Sequence, residues 1–417
     1  MLRSPIMFTC GRLPRLGAQW SPASRSRRLH IGRGGIPPRL WAVVDKRGGI
    51  LGLHARIVPV GASRRSIHIP TALLPPVVFV GLLVGLWIWK CVMMVVFQNK
   101  IIYMPGLPPN SRSERIADWA KMCGGIEWTE ERTTAADGTN LALVVTTVPL
   151  PRGKRPATAK SQMPAAAHVY VLYFQGNASS IPPRLPDLSW VLRAASDSKT
   201  HDLSPMQLTF ICLSYRGYWT SRGRASEPGL RLDAEAAVRW VAERHAQSFG
   251  KGGSPDTQPI LLVWGQSIGS GVATNLAATG QVPSSMPIRG LLLETPFLSI
   301  RAMLETLYPQ KWLPYKYLWP FLRNHLDSWG NMGLMAKNAK ERGEAAPMVY
   351  LLQAERDELV PEEQTERLYR RCVELGFPAE KGIVPVAYHQ QAIARGDGKK
   401  LAAQGILKLI QNALDGR

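Results

Sequence analysis

Cysteine is scarce in this chain, and what there is lies scattered. The five in 417 residues, Cys10, Cys91, Cys123, Cys212 and Cys372, are odd in number and lack metal-ligand spacing, which excludes a disulfide framework and a zinc site. Acidic residues are also few, 30 against 51 Lys and Arg, but the deficit is local. Residues 1–70 hold thirteen Lys/Arg and one acid, Asp45, so +12 of the formal +21 falls in the first sixth of the chain. Lys90 and Lys100 take two more, leaving +7 for residues 101–417. The body is only mildly basic, and no nucleic-acid-binding motif accompanies the charge, so a nucleic-acid partner is not expected. No internal repeat is present. At 45% hydrophobic and 19% charged, the chain is globular rather than disordered.

The first 70 residues read as an address. They are Arg-rich, contain Ser, are nearly free of acid and are broken by Gly and Pro, as in Ser24-Arg-Ser-Arg-Arg28, which is the composition of a mitochondrial transit peptide. A disordered cytosolic tail that orients the next segment has the same composition. Val77 to Phe97 follows, apolar except for Lys90. Its thirteen Val, Leu, Ile and Phe favour insertion by about 4–8 kcal/mol, against about 2.5–3.5 kcal/mol for a mid-membrane lysine. Lys90 is off-centre and can snorkel, so a single transmembrane anchor over 71–100 is predicted, with a buried core helix as the alternative. The positive flank predicts the tail on the cytosolic or matrix side, in the mitochondrial inner membrane or the endoplasmic reticulum.

From residue 101 to 417 the pattern is that of one soluble domain. Glu127 to Pro149 alternates around Asp137-Gly138 and predicts an antiparallel hairpin; Pro149 to Ala167 reads as an exposed loop. Apolar strand-like runs at 168–174, 208–213, 259–264, 288–293, 347–352 and 382–386 then alternate with helical stretches that include 232–247, 271–278, 362–375 and 399–414. This predicts an α/β fold, a mostly parallel sheet with helices on both faces. Residues 298–346 break the alternation. They carry Tyr308, Trp312, Tyr315, Tyr317, Trp319, Phe321 and Trp329 among Leu and Lys, as in an apolar lid, a membrane-interface segment or ordinary core helices.

The chemistry centres on Pro259 to Ala278. An apolar run breaks at Gly265-Gln-Ser-Ile-Gly269 and small residues open a helix, which is the strand, tight turn, helix order of a nucleophile elbow. Ser267 would stand on a strained turn, and the glycines would remove Cβ atoms that collide there. A serine hydroxyl needs a base, the base needs a carboxylate, and the developing oxyanion needs fixed N–H donors. In the α/β-hydrolase fold these follow in the order Ser, Asp/Glu, His, on loops after later strands. Asp357 and His389 fit that order. Glu294, which follows the preceding strand, is an alternative acid, and Asp327 and Glu358 lie nearby in sequence. Of the other histidines, His325 falls in the insertion, His168 begins a strand, and His201 and His245 precede the elbow. The oxyanion donors would be the backbone N–H of Ile268 and, from the loop Gln175-Gly-Asn-Ala178, that of Asn177. No metal or organic cofactor is required.

Asn99-Lys-Ile-Ile-Tyr-Met-Pro105, Tyr173-Phe-Gln-Gly-Asn-Ala178, Tyr215-Arg-Gly-Tyr218, Ser226-Glu-x-Gly-Leu230, Gly265-Gln-Ser-Ile-Gly269, Glu294-Thr-Pro-Phe297 and Arg356-Asp-Glu-Leu-Val-Pro361 together resemble the signature set of the eukaryotic membrane-anchored α/β-hydrolase-domain family, from about residue 77 to the C-terminus. The resemblance implies one membrane anchor and a serine hydrolase whose roles map onto Ser267, Asp357 and His389. It also implies ester or thioester substrates with acyl chains, such as lysophospholipids, monoacylglycerols or palmitoylated proteins. Three positions depart from the pattern: Gln175 where the family has His, Ser214 where it has Asp, and Trp219 where it has Gly. Gln175 and Trp219 are expected to reshape the oxyanion loop or the acyl pocket. The sequence thus predicts a membrane-anchored serine hydrolase with a lipid-like acyl substrate; a non-catalytic membrane scaffold and a protein depalmitoylase are the alternatives.

Overall fold

The computed structural model describes residues 70–150, 168–198, 205–249 and 259–416. The tail read as an address and most of the loop 149–167 lie outside the described residues. The described chain begins with α1 (Leu74–Val96), α2 (Gln98–Tyr103) and α3 (Ile116–Trp119), followed by the expected hairpin, β1 (Thr129–Thr134) and β2 (Asn140–Leu150). Then come β3 (His168–Phe174), α4 (Leu185–Asp197), β4 (Met206–Ser214), α5 (Glu227–Phe249), β5 (Ile260–Gln266), α6 (Ile268–Thr279) and β6 (Ile288–Glu294). The insertion supplies α7 (Ile300–Leu307), a 3-10 segment Tyr315–Phe321 and α8 (Ser328–Arg342). The domain closes with β7 (Met348–Ala354), α9 (Glu362–Glu374), β8 (Ala379–Val384) and α10 (Gly396–Asp415).

The strands form one sheet in the order β1-β2-β4-β3-β5-β6-β7-β8. The β1–β2 and β2–β4 pairs are antiparallel and all later pairs are parallel. The central strands are continuous apolar runs because both faces are covered; β5 is buried at every position. Side chains alternate between two layers. Tyr170, Leu172 and Phe174 pack with Leu230 of α5, Val272 of α6 and Leu368 of α9, whereas Val169, Val171 and Tyr173 pack with Leu188 of α4 and Ile406 of α10. In this order successive parallel strands deliver their C-terminal ends, and the loops after them, to one edge of the sheet. The candidate residues sit on that edge.

Two boundaries differ from the sequence reading. The last strand runs Ala379–Val384 rather than 382–386, because Val386 adopts φ 56° in the turn that feeds the His389 loop. The helix expected from Gly271 starts at Ile268. The two glycines that mark the turn in the sequence leave room for the helix to begin directly after Ser267. The insertion is mixed: Met332 and Met335 of α8 enter the core, while Trp312, Tyr317, Trp319 and Phe321 are exposed. With Thr71–Leu73 ahead of it, α1 is long and apolar enough to cross a membrane, and it has no buried residue, which sets aside the core-helix reading.

Candidate active site

Ser267 occupies the turn between β5 and α6 at φ 51°, ψ −116°, a conformation that costs a non-glycine residue about 1–3 kcal/mol. The surrounding packing holds it there. A Cβ on Gly265 would stand 2.2 Å from the carbonyl oxygen of Gly269, and one on Gly269 would stand 2.1 Å from that of Phe174. Only glycine lets the strand end, the helix start and the end of β3 approach so closely. The Ser267 N–H donates to the Glu294 carbonyl oxygen at 2.9 Å, tying the turn to β6.

His389 lies on the loop after β8 with its Nε2 2.9 Å from Ser267 Oγ. Its Nδ1 is 2.9 and 2.8 Å from the two carboxylate oxygens of Asp357, on the loop after β7. Asp357 Oδ1 also accepts the N–H groups of Leu359, at 3.0 Å, and Val360, at 2.7 Å, which fix the carboxylate. Ser267 is 7% exposed and His389 1%. A carboxylate on Nδ1 selects the tautomer whose Nε2 lone pair faces the serine hydroxyl. In a dry site this line of three groups can move a proton off Ser267 and stabilise the resulting imidazolium.

Each alternative residue has another partner. Glu294 is fully buried and accepts from Arg184, at 2.6 Å, and from Trp264 Nε1, at 3.1 Å. Burial pushes its carboxyl up, and Arg184, Trp264 and His389 pull it back part of the way. Burial works against the Arg184 charge, but Tyr173 and Glu294 hold its pKa above the ordinary value. Glu358 accepts the backbone N–H of His389 at 2.9 Å, and Asp327 caps α8 through the N–H of Gly330. His168 bonds Thr209, His245 bonds Tyr170, and the N–H and carbonyl of His325 bond Glu227 and Ile300. His201 lies outside the described residues.

Ile268 is the first residue of α6, so its N–H points out of the helix N-terminus beside Ser267. In the loop after β3, Ala178 and Ser179 adopt φ 57° and 61° and turn the chain sharply. Three of its amides are engaged: Gly176 N–H donates to Gln266 Oε1, Ala178 N–H to the Tyr103 carbonyl at the end of α2, and Ser179 N–H to that of Leu107. Asn177 N–H has no acceptor among the described residues. Gln175 does act on this loop, its Nε2 reaching the Ala178 carbonyl at 3.4 Å. Trp219 is buried in the layer of α4 and α10, and its indole N–H donates to the carbonyl of Glu114, whose carboxylate accepts from Ser180 at the end of the same loop.

Sequence reasoning misses the network that joins these loops. Arg184, just ahead of α4, donates to Glu294, to Tyr173 Oη at 3.2 Å and to the Gln390 carbonyl at 3.4 Å. Gln266 Oε1 accepts from Tyr173 Oη at 3.1 Å and from Gly176 N–H at 3.3 Å, and its Nε2 reaches Gln390 Oε1 at 3.4 Å. Gln266, the residue before the serine, is therefore bonded both to Gln390, the residue after the histidine, and to the loop after β3. The available signal was Glu294 itself, a carboxylate ending an apolar strand, which needs a partner. Nothing local in Pro182-Pro-Arg184 names that partner.

No protein-family profile matches the chain. It is 30% identical over 202 residues to protein Bem46 of Schizosaccharomyces pombe, covering 48% of this chain and 56% of that one. It is 29% identical over 205 residues to the lysophosphatidylserine lipase ABHD12 of Macaca fascicularis, covering 49% and 46%. The chain thus spans about half the length of the curated relatives it matches. Among solved structures, an alpha-beta hydrolase from Vibrio vulnificus superposes with a TM-score of 0.50 at 17% identity over 76% of this chain and 92% of that one. With the strand order and the strained Ser267 turn described above, the chain has the α/β-hydrolase fold and is similar, over about half its length, to Bem46 and the ABHD12 lipases.

Proposed function

We propose that this protein is a membrane-anchored serine hydrolase that cleaves acyl esters or thioesters of lipid-like substrates. The observation that carries the reading is the hydrogen-bonded line Ser267–His389–Asp357 on a strained turn, 2.9 Å from hydroxyl to imidazole. His389 Nε2 takes the hydroxyl proton as Ser267 Oγ attacks the acyl carbonyl carbon. Asp357 holds the tautomer and stabilises the imidazolium, and the N–H groups of Ile268 and Asn177 receive the oxyanion. The imidazolium returns its proton to the departing alcohol or thiol, leaving an acyl-serine. His389 then deprotonates a water that attacks the acyl carbon, and its proton goes back to Ser267.

Residues 71–100 serve as a single-pass anchor and 101–417 as the hydrolase domain. The apolar α1, exposed throughout from Leu74 to Lys90, supports this, and the Arg-rich 1–70 stretch orients the N-terminus to the cytosolic or matrix side. An anchored domain meets substrates that are themselves in the bilayer, and the activity named for the ABHD12 relatives, on lysophosphatidylserine, is of that class. The test is labelling of isolated membranes by a fluorophosphonate probe. Wild type is expected to label and Ser267→Ala not to; a folded wild type that stays unlabelled would overturn the reading.

A further inference from the structure

We propose that the aromatic segment between Tyr308 and Arg323 is seated in the headgroup layer of the bilayer that α1 spans, so that the insertion rests on the membrane rather than in water. This rests on the anchored reading above and deepens it.

The argument starts from where α1 stops being free. Every residue from Leu74 to Lys90 is exposed; from Cys91 onward the helix begins to pack on the body. At 1.5 Å per residue, 74–90 rises about 26 Å, or about 32 Å with the preceding 3-10 turn at 2.0 Å per residue. The hydrocarbon core of a bilayer is about 30 Å. The free part of the helix is thus consumed by the core, and the membrane boundary falls at Lys90. Lys90 Nζ lies 5.2 Å over the ring of Tyr315, so the insertion meets the helix at that level.

The contacts continue toward the helix end. Arg323 donates to the carbonyls of Val95 and Val96, both at 3.1 Å, and Gln98 holds the Phe321 carbonyl and the Arg323 N–H at 3.1 and 2.7 Å. The segment is therefore fixed beside the last turns of α1 and does not swing clear of the surface.

Its chemistry matches that position. Between Tyr308 and Arg323 there are six aromatic residues, three cations (Lys311, Lys316 and Arg323) and no acid. Trp312 is 77% exposed, Phe321 60% and Tyr317 55%, a concentration of apolar surface that water-facing segments avoid. Trp and Tyr favour the membrane–water boundary, and uncompensated Lys and Arg favour anionic headgroups. A protein partner would explain the apolar surface, but not its placement at the level where the free apolar helix ends.

The test uses the full chain in lipid nanodiscs of phosphatidylcholine with phosphatidylglycerol. A photo-crosslinking phenylalanine analogue is placed singly at Trp319, Phe321, Leu82 of the anchor, or Val373 on the exposed side of α9. Lipid adducts at Trp319 and Phe321, as at Leu82, are expected roughly tenfold above those at Val373. Adducts at Leu82 with only background at Trp319 and Phe321 would overturn the proposal and leave the anchor intact. Adducts at those two positions to another protein chain alone would also overturn it. Background at Leu82 would remove the anchored reading and the proposal with it.

Discussion

The two edges of the sheet carry the same pair of groups at the same distance. At the C-terminal edge, His389 Nε2 is 2.9 Å from Ser267 Oγ; at the other, His168 Nε2 is 2.9 Å from Thr209 Oγ1. What differs is the surroundings. His389 has Asp357 on its second nitrogen, is closed off from water, and faces a hydroxyl on a strained turn beside a helix N-terminus. His168 stacks on Tyr170 with ring centroids 4.5 Å apart, packs against His245 and Phe249, and has no carboxylate paired with its ring among the described residues. Its pKa is pushed down to about 4, first by burial, then by His245 and Arg244. A histidine beside a hydroxyl is therefore not by itself a site; the carboxylate behind the ring and the strained turn that carries the hydroxyl make the difference.

The largest effect expected of that contrast is on turnover. His389→Ala should lower hydrolysis of a soluble p-nitrophenyl acyl ester by on the order of 10⁴–10⁶. Asp357→Asn should lower it by about 10⁴, whereas His168→Ala should leave it within about twofold. Circular dichroism would confirm that each variant is folded, and an equal loss at His168 would end the contrast between the edges.

Next comes a contrast within the C-terminal edge, between its two buried carboxylates. Asp357 serves the histidine, while Glu294 serves Arg184 and Trp264. Glu294→Gln should leave the largely buried Arg184 side chain without its counter-charge and cost about 3 kcal/mol in urea unfolding, most of it recovered in Arg184→Met/Glu294→Leu. Its folded fraction should still label with fluorophosphonate. A labelling loss as large as that of Asp357→Asn would place Glu294 in the reacting chain instead.

The smallest effect concerns acid. Because His168 is held neutral in the fold, the unfolded chain takes up its proton first as pH falls below about 6.5. Its contribution to stability is full above that pH and is lost as pH falls toward about 4, below which the loss levels off. Solvent screening at this half-buried position limits the effect to about 1 kcal/mol or less. His168→Gln should flatten the acid limb of a stability–pH curve between those values, partly, since burial also lowers the pKa of His245. A steeper limb in the variant would contradict the assignment.

The sequence exposes most of the elbow because its requirements are local. Gly265 and Gly269 are dictated by atoms within a few residues or on the adjacent strand, so they leave a readable pentapeptide. Asp357 and His389 are legible through chain order alone, since a parallel sheet sends successive loops to one edge. Asn177 is legible only as a loop position; its availability emerges once Gln266, Tyr103 and Leu107 have taken the amides around it. Arg184 leaves no trace, because its three acceptors, Tyr173, Glu294 and Gln390, lie 11, 110 and 206 positions away from it on three different elements of the chain.

By itself the sequence determined the alternation of strands and helices, the apolar helix ahead of them and the tight strand–helix turn at Ser267, all of which follow from periodicity, span length and steric room between near neighbours. Tertiary structure alone decided which carboxylate faces His389, which amide stays free in the loop after β3, and that Tyr315 meets α1 at Lys90. Those outcomes depend on directional contacts of a few ångströms between residues tens to hundreds of positions apart. Hydrophobic patterning fixes which face a residue occupies; it does not fix which partner a buried polar group finds there.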